Sequence, residues 1–251
     1  MWRGLAGLVL GACSFQSSAG PIDAASDVPV RQPDAAIDGP VVTPPPFCDP
    51  TDPNAVVCYD FEGNANDGAS HHLVTTTMNV AFAPGKDGQA MQFGATSAAD
   101  VADNALFDVA TVTLEAWIKP SLLPTNGNRA DVLDMDRQYA LFLHADGTLT
   151  CALVGGPSLT TVAKVTINQW THVACSYDGA VGTIYIDGAA SVSTGGGGTL
   201  GTNGTTGISL ASDNPNGSGG QLIGLIDNLR LMNVARTAAQ ICADAGKSTC
   251  P

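Results

Sequence analysis

The sequence has few charged residues, and basic residues are the scarcest of them. Only 13% of its 251 residues are charged, against about 25% in average globular proteins. Lysine and arginine together number 10 against 23 acids, so the formal net charge is −13. Because a nucleic-acid-binding protein needs a basic face to contact phosphates, this balance argues against that class, and we expect no nucleic-acid partner.

Glutamate is almost missing as well, since Glu62 and Glu115 are the only two in the chain. Glycine (29 residues) and proline (15 residues) are frequent, and most of the acids are aspartate. All three residue types are unfavourable in helix interiors, which argues against a helical bundle. A hydrophobic content of 44% is too high for a wholly disordered chain. The composition therefore favours an all-β protein with one main domain.

The N-terminal apolar run, Leu5–Leu10, is too short to be a permanent transmembrane helix. It follows Arg3 and ends in the sequence LGAC, which resembles a bacterial lipobox whose cysteine, here Cys13, becomes lipidated. We expect residues 1–12 to be a lipoprotein signal peptide. The protein would then be exported and lipid-anchored to a bacterial membrane, on its periplasmic or cell-surface side, with no other membrane contact. The alternative is a short signal with a chance cysteine.

Residues 13–47 differ in composition from the rest of the chain. Prolines recur through this segment and end in the run Pro44–Pro46, with aspartate and alanine between them. Such a segment has little to bury, and it favours a semi-extended, polyproline-like tether. The folded domain is therefore expected over residues 48–251.

The chain has seven cysteines, an odd number that an exported protein must account for. Assigning one to the lipid leaves six: Cys48, Cys58, Cys151, Cys175, Cys242 and Cys250. Their spacings suggest a short bridge at each end of the domain, Cys48–Cys58 and Cys242–Cys250, which leaves the other two to pair across strands. Other pairings stay open. With no CxxC motif to indicate zinc or redox chemistry, these cysteines indicate an oxidising compartment outside the cytoplasm.

From Cys48 onward, short apolar runs are separated by Gly, Asn and Asp. The segment Thr111–Lys119 alternates apolar with other residues, and His72–Phe82 and Val162–Ile167 are also predicted as strands. Short strands at a spacing of about 8–12 residues, with Asp-Gly turns between them, indicate a sandwich or barrel. The one helical signal is Thr237–Ala243, with Thr237 as its N-cap.

Several stretches of the domain occur in a characteristic order. They are Tyr59–His71, Gly88–Phe93 leading to Val112–Pro120, Trp170–Gly188, and Gly224–Arg236 followed by the short helix. Together they resemble the laminin-G-like, concanavalin A-like jelly roll of bacterial extracellular proteins, which is related to pentraxins. The resemblance covers Asn54 to Asp244. It implies an all-β fold, a two-sheet antiparallel jelly-roll sandwich with one short C-terminal helix.

The resemblance also implies a structural calcium ion between the opening segment and the last strand. Asp227 is the strongest ligand candidate, and Asp60 and Glu62 are candidates from the first strand, with Gly63 or Asn64 offering a backbone carbonyl. Calcium takes six to eight oxygen ligands of these types. The alternative is that these acids are solvated or hydrogen-bonded in turns.

For a ligand, the resemblance points to the concave face of the sandwich. Trp117 shares with Glu115 the parity opposite to the apolar positions of its strand, so its ring could project from that face and stack on a sugar. Arg137, Tyr139 and His144 are the other ligand-binding candidates. The alternative for Trp117 is a core position.

No catalytic residues are assigned. Sugar hydrolases on this fold use paired carboxylates. The nearest candidates are Asp134 and Asp136, which lie on the same face of their predicted strand, whereas Asp131 lies on the opposite face. The family's Glu-x-Asp-x-x-Glu pattern is missing. We therefore expect a non-catalytic cell-surface binding or adhesion domain that recognises carbohydrate, a surface glycoconjugate or a surface protein. The alternatives are an extracellular polysaccharide hydrolase and a purely structural surface lipoprotein.

Overall fold

The computed structural model describes residues 47–202, 205–217 and 219–250. The predicted signal peptide, the predicted lipidation at Cys13 and almost all of the predicted tether lie outside these residues. Among the described residues, no helix combines the length and the apolar character needed to cross a membrane.

The described residues form fifteen strands and one α-helix. In chain order the strands are β1 (Ala55–Tyr59), β2 (Thr75–Met78), β3 (Ala81–Pro84), β4 (Gln89–Phe93), β5 (Ala98–Val101), β6 (Val112–Pro120), β7 (Arg129–Met135), β8 (Tyr139–His144), β9 (Leu149–Leu153), β10 (Ser158–Thr160), β11 (Thr171–Tyr177), β12 (Val181–Ile186), β13 (Ala189–Gly195), β14 (Ile208–Leu210) and β15 (Gly224–Met232). The α-helix, α1, is Ala238–Asp244, and short 3₁₀ turns lie at Ala105–Phe107 and Pro215–Gly217.

The strands form two antiparallel sheets. Sheet A has the order β13-β12-β11-β6-β15-β4-β3, with β1 also paired to β15, and sheet B has the order β10-β9-β8-β7-β14-β5-β2. One core fills the space between them, with Leu114 and Ile118 among the residues from sheet A and Leu141 and Leu143 among those from sheet B. The predicted two-sheet antiparallel sandwich with one short C-terminal helix is confirmed.

Two of the predicted strands differ in the structure. The segment predicted as one strand over His72–Phe82 is split into β2 in sheet B and β3 in sheet A. The break lies at Asn79, whose φ of 52° is left-handed and redirects the chain from one sheet to the other. The strand predicted at Val162–Ile167 does not form. Val162 is 80% exposed and Ile167 is 43% exposed, and only Val165 of this segment is buried in the core, so the segment packs through a single residue and not through a strand face.

Helix α1 begins where the sequence predicted it. The Thr237 side chain accepts a hydrogen bond from the backbone N–H of Gln240, and the Gln240 side chain accepts one from the Thr237 N–H, which completes a capping box. Ile241 of the helix packs against Ala174 and Tyr185 on sheet A. The helix therefore covers part of the face of sheet A that points away from the core.

Three disulfides are present: Cys48–Cys58, Cys151–Cys175 and Cys242–Cys250. These are the pairs that the spacings suggested. The bridge between Cys151 in β9 and Cys175 in β11 joins the two sheets through the core. Three disulfides are compatible with an exported protein.

Candidate functional site

The outer face of sheet A is largely filled by a buried ionic network. Glu115 in β6 accepts hydrogen bonds from His172 Nε2 at 2.9 Å and from Arg230 at 2.7 and 2.9 Å. Both Arg230 and Arg236 also contact the carboxylate of Asp244, the last residue of α1. We call these five residues the Glu115 network. It joins three strands of sheet A to the helix that covers them.

The charges of this network compensate for its burial. Burial by itself would raise the pKa of Glu115, but the hydrogen bond from His172 and the positive charges of Arg230 and Arg236 outweigh it, so the pKa is lowered. Glu115 is therefore an ionised carboxylate beneath α1. Because both of its oxygens are occupied by protein donors, Glu115 holds sheet A and α1 together and is not itself free to bind a ligand.

Trp117 lies on the outer face of sheet A, as its parity predicted, but its ring is covered. It is only 8% exposed. The ammonium group of Lys86 lies 4.3 Å from the centre of the ring, and the His172 ring packs edge-on at 5.2 Å. The structure therefore places Trp117 as a packing residue beneath the β3–β4 turn, and its ring is not an open stacking surface.

The proposed calcium ligands lie where the opening segment and β15 meet the turn at residues 85–88. The side chain of Asp227 is fully buried, and its oxygens accept three backbone N–H groups, from Lys86 at 2.8 Å, Asp87 at 3.1 Å and Asn228 at 2.8 Å. Burial raises the pKa of Asp227 to about 6 in spite of these hydrogen bonds. Nearby, Glu62 accepts the N–H of Gln89 at 3.1 Å.

This arrangement favours the alternative that the acids are hydrogen-bonded in turns. The positive ends of three N–H groups already point at the Asp227 carboxylate, where a cation would have to lie. Among the described residues, Asp227, Asp60 and Glu62 do not bring three acidic oxygens within 4.8 Å of one another. Gly63 has a φ of 72° and belongs to the turn after β1. Asp227 instead closes the β3–β4 turn, and calcium ligation by this set stays a prediction that removal of calcium would test.

The outer face of sheet B carries a groove of about 660 Å³. Phe142 and His144 lie two residues apart on β8 and therefore share this face, with ring centres 5.2 Å apart at an angle of 69°. His144 Nε2 lies 2.7 Å from the hydroxyl of Thr150, which lies 2.7 Å from that of Thr160. The two aromatic rings of β8 and the hydroxyls on β9 and β10 thus form a continuous row across three neighbouring strands. Residues that line the groove include Asn126, Asn128, Phe142, His144, Thr148 and Thr160.

Beside the groove, three carboxylates surround Arg129. Its Nε lies 3.1 Å from Asp131, its Nη2 lies 2.9 Å from Asp134, and Asp213 contacts the same guanidinium. We call Asp131, Asp134 and Asp213 the carboxylate cluster. Burial raises the pKa of Asp131 to about 8 and that of Asp134 to about 6, because the charge of Arg129 only partly offsets their desolvation.

The position of Asp131 corrects the prediction that it lies on the face opposite to Asp134. The pairing of β7 with β8 shifts between Asp131 and Leu133, as in a β-bulge. The extra residue turns the side chain of Asp131 to the same face of the sheet as Asp134, so both carboxylates reach Arg129. Asp136 lies beyond the end of β7, in the β7–β8 turn.

The other predicted ligand residues do not gather in one place. Tyr139 is buried in the core, where its hydroxyl donates to the carbonyl of Phe107 at 3.0 Å. Arg137 is exposed in the β7–β8 turn, with a φ of 66°. Of the four candidates, only His144 lines the groove on sheet B.

Sequence reasoning missed Phe142, Thr150, Thr160 and Arg129 as residues of this face. Phe142 could have been found, because it shares the strand parity of His144. Arg129 could not, because it lies before the bulge in β7 and parity alone places it, with Asp131, on the face opposite to Asp134. The two threonines come from separate strands. Their approach depends on the pairing of β8 with β9 and of β9 with β10, which the sequence does not state.

Comparisons with solved structures find the same fold. Domain 4 of AbnA, a GH43 extracellular arabinanase from Geobacillus stearothermophilus, in complex with arabinotriose, superposes with a TM-score of 0.63 and 22% identity, covering 77% of this chain and 98% of that domain. The binding domain of Paraclostridial Mosquitocidal Protein 1 has a TM-score of 0.63 and 16% identity over 76% of this chain. The binding domain of Botulinum Neurotoxin DC in complex with SialylT has a TM-score of 0.60 and 12% identity over 80%.

The chain spans about half, 52%, of each of the two toxin chains. No curated protein sequence matches it. The Laminin_G_3 family, described as the concanavalin A-like lectin/glucanases superfamily, matches residues 93–242, which is more than half of the sequence. The two-sheet sandwich and this match agree, and the chain belongs to the concanavalin A-like lectin/glucanases superfamily.

Proposed function

We propose that this domain is a non-catalytic carbohydrate-binding module, and that the glycan lies in the groove on the outer face of sheet B. The observation that carries the proposal is the part-exposed His144 ring, which packs edge-on against Phe142 and lies beside the hydroxyls of Thr150 and Thr160. Phe142 itself is 9% exposed and has the Arg129 guanidinium 4.8 Å from its ring centre, so it supports His144 and is not an open stacking surface. Sugars present both C–H faces and hydroxyl groups. Binding sites for such ligands combine apolar and aromatic walls with a few placed polar groups, as this groove does.

The charge of the protein indicates which glycans the groove would accept. The formal net charge is −13, and Arg129, a cation at the groove, is already paired with the carboxylate cluster. An anionic sugar would meet a negative field and no free guanidinium there. Neutral glycans are therefore the favoured ligands, either free polysaccharides or the sugars of a surface glycoconjugate.

The comparisons support carbohydrate binding at the level of the fold. One similar structure is a domain of an arabinanase in complex with arabinotriose, and another is a toxin binding domain in complex with SialylT. At 22% and 12% identity, these likenesses transfer no residue and no ligand to this chain. The groove residues themselves therefore have to be tested.

We expect His144→Ala to weaken binding of a neutral oligosaccharide by about tenfold, because it removes both a ring face and a hydrogen-bonding group, together worth roughly 1–2 kcal/mol. Isothermal titration calorimetry on a panel of neutral oligosaccharides measures this. The matched control is His71→Ala, since His71 is exposed in the segment between β1 and β2 and does not line the groove. Equal affinities for both variants would contradict the proposed site.

The arrangement of Asp134 and Asp136 does not favour the alternative of a polysaccharide hydrolase. The carboxylate of Asp134 is buried and paired with Arg129 at 2.9 Å, whereas Asp136 lies in the turn after the strand. A general acid needs access to the leaving-group oxygen of the sugar. Loss of a measured hydrolytic activity in Asp134→Asn would restore that alternative.

We further propose that the module is exported and held at a bacterial membrane by lipid on Cys13. The lipobox-like sequence before Cys13 and the proline-rich segment after it support this arrangement. A tether of that kind would let a glycan-binding face sample the surface around its anchor.

A Cys13→Ala variant should move from the membrane fraction to the soluble fraction, because no lipid can be attached to alanine. Fractionation of cells that express the full chain, followed by detection of the domain, measures the change. Cys13→Ser makes a second test of the same point, since it is close in size to cysteine. Retention of both variants in the membrane fraction would contradict lipidation at this position.

A further inference from the structure

A second cavity adjoins the groove on the outer face of sheet B. Its volume is about 610 Å³, and residues 127–129 line both this cavity and the groove. The lining of the second cavity also includes Ala95, Asp213, Gly220 and Gln221. Because the two spaces share three consecutive residues, they are two halves of one depression, which we call the extended groove.

The extended groove runs across the strands of sheet B and not along them. Its polar side chains follow the strand order β10-β9-β8-β7-β14, as Thr160, Thr150, His144, Arg129 and, in the loop after β14, Asp213. Neighbouring strands lie about 4.8 Å apart, so the four spacings span roughly 19 Å. That length is several times the width of a single sugar ring.

Arg129 forms the floor where the two halves meet. Its guanidinium lies 4.8 Å from the ring centre of Phe142 on the side of the groove, and it contacts Asp213 on the side of the second cavity. Its bonds to Asp131 and Asp134 hold the side chain against the sheet, and 33% of the side chain is exposed. An arginine fixed in this way leaves the passage between the halves open.

The wall of the second cavity is fixed by backbone contacts. The N–H of Asp213 donates to the carbonyl of Gly219 at 3.0 Å, and the N–H of Asp131 donates to that of Gly220 at 2.7 Å. A Cβ at Gly220 would collide with Asp131 Oδ2, so the loop needs glycine for this close approach to β7. The second cavity is therefore already formed without a ligand, as binding sites for small molecules usually are.

Asp213 supplies a polar group that a sugar could reach. Its side chain is 32% exposed. An ionised carboxylate has about four acceptor sites, and the described residues give Asp213 side-chain donors from Arg129 and Asn214. A sugar hydroxyl can donate to a remaining site, and a hydrogen bond to an ionised acceptor is stronger than one between neutral groups.

We propose that the extended groove binds an internal segment of a linear neutral polysaccharide. The chain crosses sheet B from Thr160 past His144, passes over Arg129 and enters the cavity at Asp213. This inference rests on the proposed function, because it takes the His144 half as the first part of the site. It narrows the ligand to a polymer, since the terminal sugar of a surface glycoconjugate fills only one half.

The test is isothermal titration calorimetry of the full chain with cello-, xylo-, manno- and arabino-oligosaccharides, each from the disaccharide to the octasaccharide. For the series that binds, we expect the affinity to rise at least about tenfold between the disaccharide and the hexasaccharide, because only the longer chain adds hydrogen bonds and buried area in the second half. Equal affinity at every length would overturn the inference and leave the proposed function standing. Absence of binding in all four series would overturn both.

A variant that fills the second half tests the direction of the chain. Ala95 is exposed and lines the second cavity but not the His144 half. Ala95→Trp should therefore lower the affinity for the hexasaccharide to that for the disaccharide and leave the disaccharide unaffected. Thr96→Trp is the matched control, because Thr96 is the next exposed residue and lines neither half. His144→Ala should weaken binding at both lengths. A length dependence that survives in Ala95→Trp would show that the chain extends elsewhere, which contradicts the inference.

Discussion

Glu115→Gln should lower the free energy of unfolding by roughly 3–5 kcal/mol, the usual cost of removing one partner from a buried ion pair. Glutamine keeps the shape of the side chain but leaves Arg230 and Arg236 to share the single carboxylate of Asp244. It also replaces one of the two acceptor oxygens, which face His172 and Arg230, by an amide NH₂ group. For a domain of this size the loss corresponds to a fall in melting temperature of about 10 °C. Thermal unfolding followed by circular dichroism measures it.

The chain supplies its own control for this substitution, because it has one other glutamate. Glu62 is exposed, and the amide oxygen of glutamine can still accept the N–H of Gln89. Glu62→Gln should therefore change the free energy of unfolding by less than about 0.5 kcal/mol. If the two variants melted at the same temperature, the Glu115 network would not be a main source of stability for the contact between sheet A and α1.

Removal of the Cys151–Cys175 disulfide should cost about 3.5 kcal/mol in the chain-entropy model, given the sequence separation of 24 residues. The bridge joins β9 of sheet B to β11 of sheet A, and both sulfurs lie in the core. The double variant Cys151→Ala, Cys175→Ala therefore loses a constraint on the unfolded chain and some packing between the sheets. Equilibrium unfolding in guanidinium chloride under non-reducing conditions measures the difference.

The terminal bridge Cys242–Cys250 is the matched comparison. Its sequence separation is 8 residues, for which the same model predicts about 2.5 kcal/mol. Cys250 is exposed, and Cys242, although buried, lies outside the core between the sheets, so removal of this bridge leaves the packing between the sheets intact. A double alanine variant at this bridge should be the more stable of the two. The reverse order would mean that the C-terminal segment, and not the link between the sheets, limits unfolding.

Much of the fold could be predicted because its signals are local. The alternation of β6 follows from a side-chain period of two, so Val112, Leu114 and Ile118 could be assigned to the core from their spacing alone. Thr237 and Gln240 sit three residues apart and cap each other, so the start of α1 could be read directly. The split of His72–Phe82 could not, because the residue at which the chain changes sheets, Asn79, is decided by two distant partners, β5 and β4.

The candidate site was less predictable, because parity assigns a side chain to a face and says nothing about what covers that face. Trp117 and His144 both point away from the core. Trp117 is covered by Lys86, which a different hairpin brings over its ring, whereas His144 lines an open groove. A single bulge in β7 was enough to reverse the predicted position of Asp131.

By itself, the sequence determined the class of fold, its acidic net charge, the start of the helix and the alternation of its long strands, since each depends on composition or on neighbours along the chain. Only the tertiary structure decided which carboxylates meet. Asp227 received backbone N–H groups from the β3–β4 turn, whereas Asp131, Asp134 and Asp213 converged on Arg129. The reason is that local periodicity sets the direction of a side chain, while its partners come from strand pairing between residues far apart in sequence.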